Sequence, residues 1–566
     1  MTASRRSFRA LGAVGVALLL VATACTADID TAAPSDQGAC DPSIAAALSG
    51  WEAIGFSGTV AFLGGDRECI GAYGSADPAS AEPMTVGTTF SIGSVTKSVT
   101  AAAIGRLVAN GELAYDDRAG DVVPGLGGPA GEATIEQLLL YTAGLTGSHG
   151  RDHDPLARND AIAALSGLDI AHPAGEDFLY SNAGYATLAL VVDAVTGDYR
   201  RFVADEVLQG TGGFWAGEPA APEPRAVGID SAGDVGFDGD FDGPHWALDG
   251  AGGVAMTAPE LAAWTQALFT TDLGGPGGAE ALMARAYDQG DGTAEVPGWV
   301  RLDAAIFGEP LLGSTGGGSS VGHEVTVAWL PESERVFVIA SNAPDVPAEQ
   351  LLQALIGDLV AGRAPSAPEV GGAVPADVAE QVAGAWHLAD SDSDSESEAV
   401  GLVEIVVGED GLVVTAWDGR AIDAVLPIPD RAAARAHADL VLAVAGGSTE
   451  EGRRERELLE EAYGPIVAIT ETGTWFADIE YRTYLDVAFA DGSNLAMWIA
   501  LDDAGGVAAA EIQTPPPSIR YLLRDDGTFA PIDVASGAVD LHLRVDDTGL
   551  VFSNDGVEHR AEHVAG

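Results

Sequence analysis

Phe90-Ser91-Ile92-Gly93-Ser94-Val95-Thr96-Lys97 decides how the chain is read. Lys97 is the only lysine among 566 residues; the other 26 of the 27 basic side chains are arginine. Such a composition favours arginine at position 97, so the position needs an amine. An ammonium can surrender its proton when buried, whereas a guanidinium stays charged. Ser94 stands three residues earlier, and residues three apart share a helix face, so the amine can reach the hydroxyl. Ser98 to Asn110 carries helical apolar spacing and stops at Gly111, which suits a C-terminal cap. The positive end of that helix favours a neutral lysine and a developing alkoxide. Taken alone, the pair also fits a helix capped by serine with an exposed lysine.

Outward from this stretch, strand-like and helical runs alternate from 41 to 363. Gly58-Thr59-Val60-Ala61-Phe62-Leu63 reads as a strand and Arg335 to Ala340 as a buried one. Thr134 to Tyr141 reads as a helix with Thr134 and Gln137 at capping-box spacing, and Ala348 to Leu359 as a closing helix. The pattern predicts an α/β or α+β domain with an inserted helical region. The proline-rich segment 364–375 predicts a linker. Beyond it, 376–566 holds short strand-like runs: Leu402 to Val407, Leu412 to Trp417, Tyr484 to Phe489, Ala496 to Leu501, Val539 to Val545 and Leu550 to Ser553. Gly384 to Trp386 opens the first strand. Turn pairs such as Asp410-Gly411 and Asp491-Gly492 separate several runs, which predicts a barrel or sandwich with a helical insertion near Glu450 to Ala462.

Further segments give the Ser94–Lys97 pair a context. Pro173-Ala174-Gly175-Glu176 leads into Tyr180-Ser181-Asn182-Ala183-Gly184-Tyr185, and Gly313-Ser314-Thr315-Gly316-Gly317 precedes a strand-like run. Thr142-Ala143-Gly144-Leu145 follows Thr134 to Leu139, and Gly252 to Thr257 precedes Leu261 and Trp264. In this order the segments resemble the serine β-lactamase-related family: class C β-lactamases, D-alanyl-D-alanine carboxypeptidases and kindred esterases. The resemblance covers about residues 41–363. It implies an α+β fold, a penicillin-binding-protein-like α/β sandwich with an antiparallel sheet and a helical region. More loosely, it implies a barrel-like C-terminal appendage.

The resemblance also implies roles. Ser94 is the expected nucleophile of an acyl-enzyme, Lys97 helps deprotonate it, and Tyr180 shares the proton traffic. Asn182 positions the substrate amide, a task for a side chain that both donates and accepts. Ser314, Thr315 and Gly316 line the substrate site, and the N–H groups of Ser94 and Gly317 form the oxyanion hole. One position departs from the pattern. The third motif of this family usually begins with lysine or histidine, and here it begins with Ser314. That cation commonly meets a substrate carboxylate or tunes the tyrosine's ionisation, so its loss favours a neutral ester, amide or peptide over β-lactams and D-Ala-D-Ala peptides. His323, farther along, could refill the site, although a lone histidine beside a strand is more often structural. The expected function is therefore a serine hydrolase, preferably an esterase or peptidase. The alternatives are a catalytically weak sensor of cell-wall peptides, or a true β-lactamase or carboxypeptidase.

No metal or cofactor is expected; His149 and His153 have ligand-like spacing, but loop histidines are usually solvated. The alternating serines and acids from Asp390 to Glu398 read as a solvated loop and not as a calcium site.

Bulk properties set the remaining bounds. A hydrophobic content of 47% describes a globular chain. A net charge of −58 excludes nucleic acid as a partner; the expected partner is a small-molecule or peptide substrate. Arg5, Arg6 and Arg9 precede an apolar run from Leu11 to Ala24, so residues 1–25 read as an export signal. Ser4-Arg5-Arg6-Ser7-Phe8 looks like a twin-arginine signal. Ala22-Thr23-Ala24-Cys25 resembles a lipobox, making Cys25 the expected lipidation site. Ordinary signal cleavage nearby is the alternative. Residues 26–40 then read as a tether, and the protein as a surface lipoprotein touching the membrane only through its lipid. Cys40 and Cys69 remain as a pair in an oxidising compartment. A bridge between them closes a loop of about thirty residues, worth roughly 3–4 kcal/mol; two buried thiols are the alternative.

Overall fold

The computed structural model describes residues 38–564, apart from 81, 153, 230–242, 275–282, 290–291, 319–321, 344–345, 369–372, 390–400, 409–410, 450–451, 454–455, 457–458, 461–462, 478–479, 502–506, 513, 515, 525, 532–540, 547–548 and 555. The leader with Cys25, residues 26–37 of the tether, His153, the acidic run 390–398 and Asp410 lie outside the described residues.

Among the described residues, a nine-stranded sheet organises the first part of the chain. Its order is Gly38–Cys40, Cys69–Tyr73, Gly58–Leu63, Arg335–Ser341, His323–Leu330, Leu311–Gly318, Trp299–Leu302, Thr293–Val296, Tyr287–Asp288. Every neighbouring pair is antiparallel. Alternation along the strand Arg335–Ser341 explains why both sheet faces are covered. Phe337 and Ile339 face a core with Trp51, Leu351 and Leu355 of the helices Pro42–Ala53 and Ala348–Val360. Val336, Val338 and Ala340 face a larger core with residues of the helices Thr96–Ala109, Asn182–Thr196 and Ala258–Thr270. Successive side chains of a strand point to opposite faces, so a strand apolar at every position belongs in the middle of such a sandwich.

Three sequence expectations need correction here. Residues 38–40 are not tether: they form an edge strand in which Cys40 pairs with Cys69 and is disulfide-bonded to it. The helix after Ser94 begins at Thr96, two residues earlier than its apolar spacing indicates. The helix after Thr134 spans only Ile135–Leu139, although its capping box forms as expected.

The C-terminal part contains a closed barrel of eight strands among the described residues, running from Gly384–Ala389 to Val557–His563. The first and last strands pair with each other, which leaves the barrel no free edge. Its interior is filled by Val403, Ile405, Leu412, Tyr521, Phe552 and the helix Gly419–Val425. A four-stranded sheet, Ile466–Ala477 to Val507–Ile512, is inserted between barrel strands and carries the helix Arg431–Ala445. That helix precedes the segment expected to be helical, much of which lies outside the described residues. Leu522 of the barrel joins the core beneath the helix Pro42–Ala53, and Arg520 Nη1 donates to the Ile54 carbonyl at 2.9 Å. Among the described residues no helix is long and apolar enough to cross a membrane.

Candidate active site

Ser94 lies in a short 3-10 turn, Gly93–Val95, that feeds directly into the helix Thr96–Ala109. The turn is held from below by Val254, whose carbonyl accepts from Ile92 N–H and whose N–H donates to Thr96 Oγ1, both at 3.1 Å. It is also pressed against the strand Leu311–Gly318. A Cβ on Gly93, which has φ +48°, would lie 2.7 Å from the Gly317 oxygen. A Cβ on Gly316 would lie 2.1 Å from the Ile92 oxygen and 2.6 Å from Ser94 N. Both positions therefore require glycine. The first contact also orients Gly317: its carbonyl faces the turn, and the N–H of the same strand residue points to the same edge.

Lys97 is 1% exposed, and its Nζ donates to Ser94 Oγ and to the Ala251 carbonyl, each at 2.9 Å. Among the described residues no carboxylate forms an ion pair with it. The Ala251 carbonyl is itself held in place. Gly250 O accepts from Thr100 Oγ1 at 2.9 Å, and Asp249 pairs with Arg200 at 2.8 Å in a nearly buried bridge.

Tyr180 is 48% exposed, and its hydroxyl donates to Ser94 Oγ at 2.8 Å. The Lys97 ammonium stands 4.9 Å from the centroid of its ring. Lys97, three residues from Ser94, and Tyr180, 86 residues away, thus meet at the Ser94 hydroxyl. Asn182 is exposed at the first position of the helix Asn182–Thr196, capped by Ser181, and no hydrogen bond among the described residues ties it to this group.

The third motif lies on the strand beside the turn. Ser98 Oγ donates its one proton to the Gly298 carbonyl at 2.6 Å, and the Ser314 hydroxyl lies 3.3 Å from Ser98 Oγ. Thr315 Oγ1 pairs with Thr326 Oγ1 at 3.0 Å on the neighbouring strand. No Arg, Lys or His among the described residues hydrogen-bonds the side chains of Ser314 or Thr315. His323 does not refill the site. It is buried, its Nδ1 accepts from Ser91 N–H at 3.0 Å, and its Nε2 donates to the Ala226 carbonyl at 3.1 Å. Burial pushes its pKa down to about 4, so it is a neutral brace. His149 is buried and not solvated; burial lowers its pKa, and among the described residues it joins no metal-ligand cluster.

Two features of the site were not visible in the sequence. Tyr141 stacks on Tyr180 with ring centroids 4.8 Å apart. Glu295, buried on the strand Thr293–Val296, accepts a hydrogen bond from the Gln289 amide at 3.1 Å. Burial pushes its pKa up to about 7.

The Beta-lactamase family model matches residues 49–361, more than half of the chain. This chain belongs to the Beta-lactamase family. Members of that family are serine hydrolases, and the fold described above is the family's sandwich followed by a C-terminal barrel. The chain is 31% identical over 163 residues to penicillin-binding protein 4* of Bacillus subtilis (strain 168), covering 27% of this chain and 36% of that protein. It is 26% identical over 254 residues to the unguisins hydrolase ungD of Aspergillus violaceofuscus (strain CBS 115571), covering 40% of this chain and 44% of that protein. It thus spans less than half the length of these curated relatives. A solved penicillin-binding protein from Bacillus halodurans aligns with a TM-score of 0.45 at 25% identity, covering 52% of this chain and 94% of that one.

Proposed function

We propose that the chain is a serine hydrolase that works through an acyl-enzyme on Ser94. The observation carrying this reading is the convergence of Lys97 Nζ and Tyr180 Oη on Ser94 Oγ, at 2.9 and 2.8 Å. Both groups donate in the resting arrangement. Loss of one proton lets either accept the hydroxyl proton as Ser94 Oγ bonds to the substrate carbonyl carbon. The N–H groups of Ser94 and Gly317 flank the position of the developing oxyanion, a contribution of about 3–4 kcal/mol per donor in other hydrolases. Proton return to the leaving oxygen or nitrogen completes acylation. Attack by water on the Ser94 ester then releases the acid. Asn182 orients the substrate amide, and Thr315 and Gly316 line the cleft.

The preferred substrate is an ester, amide or peptide without a carboxylate beside the scissile bond. Ser314 supports this choice, because its hydroxyl is joined to Ser98 and offers no charge to a substrate anion. The same position keeps the weak cell-wall sensor as a second reading. Export, lipidation at Cys25 and exposure at the outer face of the cytoplasmic membrane complete the proposal. Turnover of nitrocefin, short-chain p-nitrophenyl esters and D-amino-acid peptides, compared side by side, tests the preference. Esters or peptides should be turned over fastest, and efficient nitrocefin hydrolysis would reverse the ordering.

A further inference from the structure

Tyr141 occupies a position built for glycine. The helix Ile135–Leu139 ends in a paired reverse turn: Thr142 N–H donates to the Gln137 carbonyl at 2.9 Å, and Tyr141 N–H points to the Leu138 carbonyl at 3.5 Å. This is a Schellman arrangement, in which the residue after the C-cap adopts the left-handed conformation and is usually glycine. Here that residue is tyrosine, with φ 57°. A bulky side chain at positive φ is strained, and such strain persists only where the surroundings impose it.

What surrounds Tyr141 is the site. Its ring is buried and stacks on Tyr180 with centroids 4.8 Å apart and planes 28° apart. It also lies 5.6 Å from the Phe178 ring and 5.3 Å from the Tyr185 ring. Its carbonyl accepts from Leu179 N–H at 2.8 Å, which fixes the backbone immediately before Tyr180. One residue therefore holds both the ring and the chain of a half-exposed tyrosine. Beyond that support, the half-exposed side chain is restrained by its own hydrogen bond to Ser94 Oγ and by the Lys97 amine over its ring.

We propose that Tyr141 is a positioning residue for acylation: its ring and its carbonyl hold the Tyr180 hydroxyl against Ser94, and this is why a tyrosine stands where the turn calls for glycine. The proposal rests on Ser94 being the nucleophile. The hydroxyl of Tyr141 is not needed for it, since the stacked face does the positioning.

The test compares Tyr141→Phe, which keeps the face, with Tyr141→Leu, which removes it. Tyr141→Met, whose unbranched side chain adapts to the same space, replaces the leucine variant should that variant not fold. A crystal structure of the variant reads the placement independently of any reaction. Tyr180 Oη beyond hydrogen-bond reach of Ser94 Oγ is the expected result; Oη still within about 3.2 Å overturns the proposal. Labelling of the full chain by a fluorophosphonate probe supplies the rate. The phenylalanine variant should label at nearly the wild-type rate, and the leucine variant about 10- to 100-fold more slowly with half-saturation unchanged. Equal rates for leucine and phenylalanine would overturn it. A wild-type chain that is labelled elsewhere than at Ser94 would refute the nucleophile assignment, and the crystallographic distance would still decide the role of Tyr141.

Discussion

Lys97 Nζ lies as close to the Ala251 carbonyl as to Ser94 Oγ, 2.9 Å in each case. The amine is therefore held by a backbone oxygen and a hydroxyl, with no carboxylate partner among the described residues. The position of that carbonyl depends on the loop before it, which Arg200 and Thr100 fasten through Asp249 and Gly250.

Arg200→Met tests the fastening. It would leave Asp249 buried without its cation, a change that costs about 3–5 kcal/mol. Urea unfolding should show that loss, and acylation should slow in whatever fraction remains folded. An unchanged urea midpoint would mean that the bridge contributes nothing to the loop.

Ser314 is the place where substrate preference should be adjustable. Ser314→Ala removes only a long hydroxyl contact with Ser98, which keeps its hydrogen bond to Gly298, so stability should change by less than about 1 kcal/mol. Ser314→Lys restores a cation beside Thr315. The ratio of nitrocefin to ester turnover, each as kcat/KM, should then rise about tenfold, equivalent to about 1.4 kcal/mol of discrimination. A ratio that does not move would show that residue 314 is not what selects against carboxylates.

Glu295 should make the fold less stable at higher pH. Its pKa is pushed up to about 7 by burial, against 4.5 in an unfolded chain. Below pH 4.5 both states hold the proton and the group has no effect. Between pH 4.5 and 7 the folded state binds more protons than the unfolded one, so stability falls as pH rises. The full cost, reached above pH 7, is about 3 kcal/mol. Glu295→Gln should therefore raise the unfolding free energy at pH 8 and leave it nearly unchanged at pH 4.5, as urea titrations at the two pH values would show. A gain of equal size at both pH values would point to packing and not to ionisation.

Local sequence was enough for much of this structure. The capping box at Thr134 and Gln137 could be read directly, because its hydrogen bonds join residues three apart. The buried strand around Val338 could be read from its unbroken apolar run, Val336 to Ala340. Ser94 and Lys97 are three residues apart, so spacing made their meeting possible, and the later motifs in family order were needed to favour it over a capping serine with an exposed lysine. Long-range placement was the harder part. That the Ala251 carbonyl meets Lys97 depends on a contact spanning more than a hundred residues, and that Gly384–Ala389 closes onto Val557–His563 depends on the whole barrel. Tyr141 was hidden for a different reason: its left-handed backbone contradicts its residue type, so no propensity could announce it. The helix Arg431–Ala445 was legible and was missed. Ala434, Ala438, Val441 and Val444 recur at helical spacing and are its buried face.

The most direct measurement is the rate and site of covalent labelling by a fluorophosphonate probe, read by intact mass and peptide mapping on the wild type, Ser94→Ala and Lys97→Arg. The expected result is a single adduct on Ser94 in the wild type, none in Ser94→Ala, and none in Lys97→Arg, a variant that folds but melts at a lower temperature because its buried guanidinium lacks a carboxylate partner. Arginine keeps the charge and reach but cannot release a proton. A Lys97→Arg chain that labels at the wild-type rate, or an adduct that survives in Ser94→Ala, would contradict the assignment of Ser94 and Lys97 as nucleophile and base.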